Sequence, residues 1–393
     1  MRALHRPLAP RDPTEEHRSA TPLELFFDLV FVVAVASAAA ELHHGLAEDH
    51  PIAVLGFVMT FIAIWWAWMN FTWFASAYDP DDVGYRLLAF VIMTGSLMLA
   101  AGVPGFFEDG QSALVVAGYA VMRLAMVALW LRAAAGHPER RDTCLTYAAG
   151  IAAVQVLWVA RLALDGPEVL VPTFFVLMAL EALVPYVAER RGRTPYHPEH
   201  IAERYGLFTI IVLGEVVLST VLAVQGALET DYLTGLVPLV AGALLVVFSS
   251  WWLYFRRGHA ELFAAGRIEA VVAVGYGHLF LFGSIAATGA GLAVAVDVVT
   301  HHAHTTSAAA GWSVAVPFGV FLAALGLIDA ASEAARWIVV ETGVLVVVVL
   351  AVTAGAIAID LPVGVVVLLL GLVGAGGVAQ HLVVDTRAAR LAT

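Results

Sequence analysis

Long apolar runs recur along this chain, and their length is the strongest constraint on its fold. An α-helix rises 1.5 Å per residue, so about 20 residues cross the roughly 30 Å hydrocarbon layer of a bilayer. Twelve runs are predicted to be transmembrane helices: 23–42, 52–78, 83–103, 112–135, 143–164, 168–188, 204–225, 232–256, 268–297, 308–328, 336–358 and 362–383. The sequence therefore predicts an all-α, polytopic integral membrane protein.

The composition supports this class and excludes several others. Hydrophobic residues make up 61% of the chain and charged residues only 13%, against about 25% charged in a globular protein. The net charge of −12 carries no information on nucleic acid, because the acids lie mostly in short loops. The expected partners are the lipid bilayer and a small ion or solute, and no nucleic acid. The single cysteine, Cys144, excludes an internal disulfide and a cysteine metal site. The sequence contains no phosphate-binding loop, and no cofactor is predicted. A homodimer is a candidate assembly.

The arginines predict the orientation. The chain has no lysine, and 18 of its 20 arginines fall in alternate segments between the predicted helices or in the two tails. Positive residues accumulate on the cytoplasmic side of a membrane. Both termini are therefore predicted to be cytoplasmic, and the predicted outer loops contain no arginine.

The two halves of the chain resemble each other weakly. The segment LFFDLV at 25–30 is similar to LFTIIV at 207–212, an offset of 182 residues. Two halves with six crossings each must lie parallel, a plan that recurs in transporters. The predicted organisation is an N-terminal tail (1–22), a first six-helix repeat (23–190), a basic linker (191–203), a second six-helix repeat (204–383) and a C-terminal tail (384–393).

Ionisable residues inside the apolar runs are the candidate functional groups, because a charge in the hydrocarbon layer is costly. Asp28, Glu181 and Glu215 are predicted proton or cation groups, Arg123 their counter-ion and His278 a relay. Arg123 is expected to pair with Glu215, with Glu181 and Asp28 as alternatives. Whether such a pair moves protons or only fastens helices stays open at this point.

Aromatic and histidine clusters have simpler interpretations. Six tryptophans lie toward the predicted cytoplasmic ends of the second and eighth helices, and an interfacial aromatic belt is the first expectation for them. They are Trp65, Trp66, Trp68, Trp73, Trp251 and Trp252. Six histidines fall in predicted outer loops, where Zn²⁺ or Cu²⁺ binding is the alternative to simple solvation. Solvation is favoured, so no metal site is predicted.

Three motifs resemble the bacterial low-temperature-requirement A family. They are LELFFDLVFV at 23–32, WWAW at 65–68 followed by DPDD at 79–82, and HIAERYGLFTIIVLGE at 200–215. The resemblance spans nearly the whole chain and implies a multi-pass protein of the bacterial plasma membrane, linked to growth in the cold. Six residues match motif positions: Glu24, Asp28, His200, Glu203, Arg204 and Glu215.

A fainter similarity connects the first helix with potassium channels. These channels are built from two six-helix repeats, each with a Phe-Ser-Asp motif in its first helix. Phe26-Phe27-Asp28 is similar to that motif with the serine replaced, whereas the second half has no acid at the matching position.

Three functions remain open at this point. The first is a proton- or ion-coupled transporter or channel, without catalytic residues. The second is a membrane enzyme acting on lipid or isoprenoid substrates at the cytoplasmic face, with DPDD suggesting Mg²⁺ binding to a diphosphate. Its acids would be Glu24, Asp28, Asp79, Asp81, Asp82 and Glu203. The third is a non-transporting membrane partner or sensor.

The orientation gives a first test. In a Cys144→Ser background, a single cysteine replacing His302 should react with an impermeant thiol reagent added to whole cells. A cysteine replacing Arg191 should react only after the cells are opened, because that segment is predicted to be cytoplasmic. Labelling of intact cells at position 191 would contradict the predicted topology.

Overall fold

The computed structural model describes residues 7–12, 15, 18–110, 112–164, 166–227, 233–256, 268–331 and 336–392. Within them, twelve α-helices are present: α1 Pro22–Ala47, α2 Ala53–Ala77, α3 Val83–Asp109, α4 Ala113–Gly136, α5 Arg141–Ala160, α6 Pro167–Glu189, α7 Pro198–Ala227, α8 Leu233–Phe255, α9 Ile268–Val299, α10 Ser307–Ala331, α11 Arg336–Ala358 and α12 Val363–Ala392. Short 3₁₀ turns, Pro138–Arg140 and Arg161–Ala163, flank α5.

The predicted all-α membrane class is confirmed. All twelve helices contain a segment long and apolar enough to cross a membrane, and the described residues contain no strand. Several boundaries differ from the predicted ones: α1 continues to Ala47 and α3 to Asp109, beyond the predicted ends at 42 and 103. Helix α7 begins at Pro198, within the predicted linker, and α12 continues to Ala392, through most of the predicted C-terminal tail. Proline favours the first position of a helix because its missing N–H needs no partner there.

Contacts divide the chain into two compact units. Unit 1 comprises Met1–Ala38 and Val58–Leu207, and unit 2 comprises Ala39–Phe57 and Phe208–Thr393. The predicted division into two six-helix repeats stays a prediction. The outermost predicted tail residues, 1–6 and 393, lie outside the described residues.

In unit 1, glycines allow α3 and α4 to pack with their backbones in contact. A Cβ atom added at Gly95 would stand 2.6 Å from the carbonyl oxygen of Gly118, which is closer than real Cβ atoms come. Small residues at such crossings are typical of membrane helices. Because α4 carries Arg123, this close crossing helps to fix where that arginine lies in the unit.

Helix α3 has a well-defined start and end. The Asp82 side chain accepts a hydrogen bond from the backbone N–H of Tyr85 at 2.7 Å, which is a regular N-cap. At the other end, Gly110 takes the left-handed conformation (φ 70°) that commonly terminates helices. The helix therefore begins directly after the DPDD motif.

In unit 2, a buried ion pair connects the end of α8 to α10. Arg256 Nη2 lies 2.5 Å from Asp329 Oδ2, and the two side chains are only 3% and 5% exposed. Arg256 Nη1 lies 3.9 Å from Glu341 Oε2 on α11. Arg256, which the arginine distribution assigns to a cytoplasmic segment, thus connects the end of α8 with α10 and α11.

Candidate functional site

The first helix begins with a reciprocal cap that places a carboxylate inside unit 1. The Thr21 hydroxyl accepts a hydrogen bond from the backbone N–H of Glu24 at 3.3 Å. Glu24 Oε2 in turn accepts hydrogen bonds from the Thr21 backbone N–H at 2.8 Å and from its hydroxyl at 3.0 Å. This is a capping box, with Pro22 at the first helical position. The cap holds Glu24 at 1% exposure, with its other oxygen facing the interior.

Arg204 of α7 joins the two acidic residues of α1. Its Nη2 donates to Asp28 Oδ1 at 2.6 Å and its Nε to Asp28 Oδ2 at 3.1 Å. Its Nη1 lies 3.0 Å from Glu24 Oε1. Asp28 and Arg204 are both 0% exposed, so this bidentate pair is shielded from water. Two motifs separated by 176 residues therefore meet at one guanidinium.

Trp68 of α2 and His200 of α7 complete this group. The Trp68 indole N–H donates to Asp28 Oδ1 at 2.6 Å. His200 Nε2 lies 3.1 Å from Glu24 Oε1, and the imidazole is fully buried. The five residues Glu24, Asp28, Trp68, His200 and Arg204 are called the motif cluster below. Because Asp28 already accepts from three donors, its contacts tie α1, α2 and α7 together.

A second buried network lies near the middle of α4 and α6. Arg123 Nη2 donates to Glu181 Oε2 at 2.5 Å, and these side chains are 1% and 0% exposed. The same oxygen accepts from the Trp66 indole at 3.2 Å, while Gln155 Nε2 donates to Glu181 Oε1 at 2.8 Å. Arg123, Glu181, Gln155 and Trp66 form the central network. Arg123 thus pairs with Glu181, one of the two alternatives, and the first expectation of Glu215 is wrong.

Arg123 uses only part of its hydrogen-bonding capacity. Within the described residues, its Nε and Nη1 atoms have no hydrogen-bond partner although they are buried. Buried donors are usually satisfied, and an exception commonly marks a bound water, an ion or a functional group. The central network therefore has donors available for a further acceptor, in contrast to the saturated Asp28.

The remaining predicted site residues have local partners. Glu215, in unit 2, is half-buried and accepts a hydrogen bond from the Ser219 hydroxyl at 3.0 Å. His278 Nδ1 lies 2.6 Å from the carbonyl oxygen of Val274, and its Nε2 lies 3.0 Å from the Tyr254 hydroxyl. A carbonyl only accepts, so Nδ1 carries the proton and Nε2 accepts. The roles predicted for Glu215 and His278 stay predictions.

Glu203 does not join the motif cluster through its carboxylate. Its Oε2 accepts a hydrogen bond from the backbone N–H of Ala20 at 3.1 Å. This contact holds the segment before α1 against α7. Arg18, in the same segment, donates to the carbonyl oxygens of Ala75 and Ser76 at the end of α2.

The DPDD carboxylates are occupied by partners within the chain. Asp81 Oδ1 lies 2.7 Å from Arg86 Nη2, and Asp82 Oδ2 lies 2.7 Å from Arg132 Nη2. Asp79 accepts a hydrogen bond from the Asp81 backbone N–H at 3.0 Å. Among the described residues, no three histidine, cysteine or acidic side chains come together as metal ligands would.

Tryptophans of the WWAW motif make contacts with the buried carboxylates that sequence reasoning missed. Trp65, Trp66 and Trp68 are at most 2% exposed, so the expected interfacial belt is wrong for them. Trp66 and Trp68 donate to the buried carboxylates because their indole N–H groups need acceptors inside the protein. Gln155 was also missed, although a lone amide in an apolar helix was a usable signal. Trp251, by contrast, is 45% exposed, as a belt residue would be.

The helices and the buried ion pairs define a polytopic α-helical membrane protein whose spans are connected by charged groups. The family model described as bacterial low temperature requirement A protein (LtrA) matches residues 19–375, so the chain belongs to this family. The family expected from the three motifs is thereby confirmed.

A curated protein is similar in sequence to most of this chain. A Rhizobium meliloti (strain 1021) protein, "Uncharacterized protein RA0937", is 29% identical to this chain over 297 residues, covering 72% of this chain and 70% of the relative. No solved structure matches the chain.

The central network can be tested as a coupled pair. Arg123→Leu and Glu181→Gln should each destabilise the protein by about 3 to 5 kcal/mol, because each leaves a buried group without its partner. The double variant should lose less than the sum of the two, measured as thermal unfolding in detergent. A control cycle of Arg123→Leu with Glu168→Gln, an exposed acid at the start of α6, should be additive. Additive losses for Glu181 would show that the pair is not coupled.

Asp79 gives a prediction of pH dependence. Burial, followed by repulsion from Glu24, raises the pKa of Asp79 from 3.8 to about 6. An acid with a raised pKa in the folded state stabilises that state at low pH, and this contribution is lost as the pH rises from about 4 through about 6. Asp79→Asn should therefore be more stable than the wild type at pH 7.5, by at most about 3 kcal/mol. The difference in unfolding temperature should be smaller at pH 4.5.

The matched control for this variant is Asp81→Asn, which removes a neighbouring carboxylate that is 39% exposed. It should not increase stability between pH 4.5 and pH 7.5 relative to the wild type. If Asp79→Asn loses stability at pH 7.5, the charged form of Asp79 is stabilising and the expected sign is wrong.

Proposed function

We propose that this LtrA-family protein is a proton- or ion-coupled transporter or channel and that Glu181, with Arg123, is its proton-exchanging group. The observation that supports this most directly is the central network itself. An acid and an arginine lie fully buried within two spanning helices, where an ionised group is costly.

The contacts of Glu181 give the proposed exchange a physical basis. In the ionised state, its two oxygens accept from Arg123, Trp66 and Gln155. Protonation of Glu181 removes the charge that attracts Arg123, whose Nε and Nη1 already lack partners among the described residues. The guanidinium then becomes available to another acceptor. Proton binding is thus linked to a change in what Arg123 can bind.

The motif cluster has a different part in this proposal. Asp28 is bound bidentately by Arg204 and also by Trp68, so protonating it would disrupt three contacts. We assign the cluster to holding α1, α2 and α7 together at the predicted cytoplasmic end, while Glu181 exchanges the proton. The ion- or proton-binding role predicted for Asp28 remains a separate prediction.

The contacts of the acidic motif speak against the enzyme alternative. A diphosphate-binding Mg²⁺ site needs several carboxylate oxygens facing a common point. Asp81 and Asp82 instead pair with Arg86 and Arg132, and Glu24 belongs to the motif cluster. A non-transporting partner or sensor is distinguished from a transporter by the following experiment.

The purified protein is reconstituted into liposomes that contain a pH-sensitive dye, and a pH gradient or membrane potential is imposed. Wild type should move protons across the membrane, whereas Glu181→Gln should not, because an amide does not titrate. Glu168→Gln, the same change at an exposed position of the same helix, should retain wild-type flux.

A folded variant without the central charges separates loss of function from loss of structure. The double variant Arg123→Leu/Glu181→Gln has no unpaired buried ion and should fold, yet show no flux. Full flux in Glu181→Gln, or no flux in wild type above that of protein-free liposomes under either gradient, would contradict the proposal.

A further inference from the structure

A small cavity lies next to the central network in unit 1. It has a volume of about 40 Å³ and is lined by residues of α2 to α6 and of the 3₁₀ turn after α5, among them Ser112, Val116, Tyr119, Trp158 and Arg161. One water needs roughly 10 to 15 Å³ on this measure, so the cavity suits about three waters or a ligand of that size. Ser112 and Arg161 place it at the helix ends that the arginine distribution puts on the outer side.

Within the described part of the chain, Arg161 brings a positive charge without an ion-pair partner to the cavity wall. The residue is 4% exposed, its Nε donates to the Thr173 hydroxyl at 3.2 Å and its Nη2 to the carbonyl oxygen of Leu170 at 2.7 Å. Its guanidinium carbon lies 5.7 Å from the ring centroid of Trp158. All of these partners are neutral, and no ion pair of the described residues includes Arg161. A buried cation of this kind favours an anion beside it.

Tyr119 connects this cavity to the central network. Its ring lines the cavity, packs edge-on against Trp158 at a centroid distance of 5.6 Å, and lies 5.9 Å from the guanidinium carbon of Arg123. Arg123 follows Tyr119 by one helical turn on α4 and has two buried nitrogen atoms without a partner in the described part of the chain. Arg161 and Arg123 are therefore arranged one after the other, from the cavity wall to the central network.

These two cations are also the exceptions in the arginine distribution. Of the 20 arginines, 18 belong to predicted cytoplasmic segments, and the remaining two are Arg123 and Arg161. Their position cannot be explained by the rule that orients the protein. The pair with Glu181 accounts for Arg123, whereas Arg161 has no ion-pair partner among the described residues, and a bound anion would supply one.

We infer that the cavity binds a short-chain monocarboxylate and that this carboxylate is the solute whose movement is coupled to protonation of Glu181. The carboxylate pairs with Arg161 through Nη1, the guanidinium nitrogen that neither Thr173 nor Leu170 uses. Its short alkyl part contacts Val116 and the neighbouring apolar side chains. This inference rests on the proposed function for its coupling step but not for the binding site.

The coupling follows from a competition for Arg123. When Glu181 is ionised, its negative charge neutralises Arg123 and repels a second carboxylate, although two nitrogen atoms of Arg123 stay without partners among the described residues. When Glu181 takes up a proton, its negative charge is lost and the bound carboxylate pairs with these nitrogen atoms. The charge of the central network is the same in both states, so the anion adds an electroneutral route to the Glu181-dependent proton flux.

Binding is measured first, by calorimetric titration of the purified protein with sodium propionate, with sodium chloride as the comparison anion. Wild type should bind propionate saturably, and Arg161→Gln should weaken binding at least tenfold. The matched control is Arg190→Gln, since Arg190 also lies over an aromatic ring, Tyr186 at 4.8 Å, but at the opposite end of α6. This control should bind as wild type does.

A second variant tests the cavity without changing its charge. Val116 is buried at the cavity wall, and Val116→Phe should fill the space and abolish propionate binding. The inference is overturned if wild type does not bind propionate, if it binds chloride but not propionate, or if both Arg161→Gln and Val116→Phe bind as wild type does.

Flux measurements separate this inference from the proposed function. In liposomes, an inward propionate gradient should accelerate Glu181-dependent proton uptake in wild type but not in Arg161→Gln. Proton flux that depends on Glu181 but not on propionate would overturn the inference and leave the proposed function in place. Propionate binding without any proton flux would retain the site and contradict the coupling.

Discussion

The structure of unit 1 depends on the rule that a charge buried in an apolar environment must have a partner. Arg204 satisfies this rule with two acids of α1, and Arg123 satisfies it with Glu181. Each pair connects helices that are distant in sequence, and losing one member leaves an unpaired ion, at about 3 to 5 kcal/mol. The buried charges therefore decide which helices of the unit must be neighbours.

The two groups of charges differ in a way that separates anchoring from exchange. Asp28 receives hydrogen bonds from three donors, so little capacity remains for a ligand. Arg123 keeps two nitrogen atoms without partners in the described residues, and it lies one helical turn from a tyrosine that lines a cavity. The motif cluster also keeps buried atoms without a hydrogen-bond partner among the described residues, at Glu24 Oε1, Arg204 Nη1 and His200. What distinguishes the central network is therefore the neighbouring cavity, which supports the proposal that transport belongs to this network.

The tryptophans explain how carboxylates are tolerated among apolar helices. An indole N–H supplies one donor on a large hydrophobic side chain, so it can solvate an oxygen without bringing water or a second charge. Trp68 does this for Asp28 and Trp66 for Glu181. Because the two residues are two positions apart on α2, one short motif serves both charged groups.

The sequence by itself determined the membrane class, the number of spanning helices and, through the family motifs, four residues of the motif cluster: Glu24, Asp28, His200 and Arg204. Apolar run length and residue type decide these features, and both are properties of the linear sequence. It also identified Arg123, Glu181 and Glu215 as ionisable residues inside apolar runs, but not the direction in which each side chain points. Only the tertiary structure decided that Arg123 pairs with Glu181, that Trp66 and Trp68 are donors, and that Arg161 borders a cavity. The physical reason is that depth follows from position along a helix, whereas partners follow from which helices pack together and from their rotation.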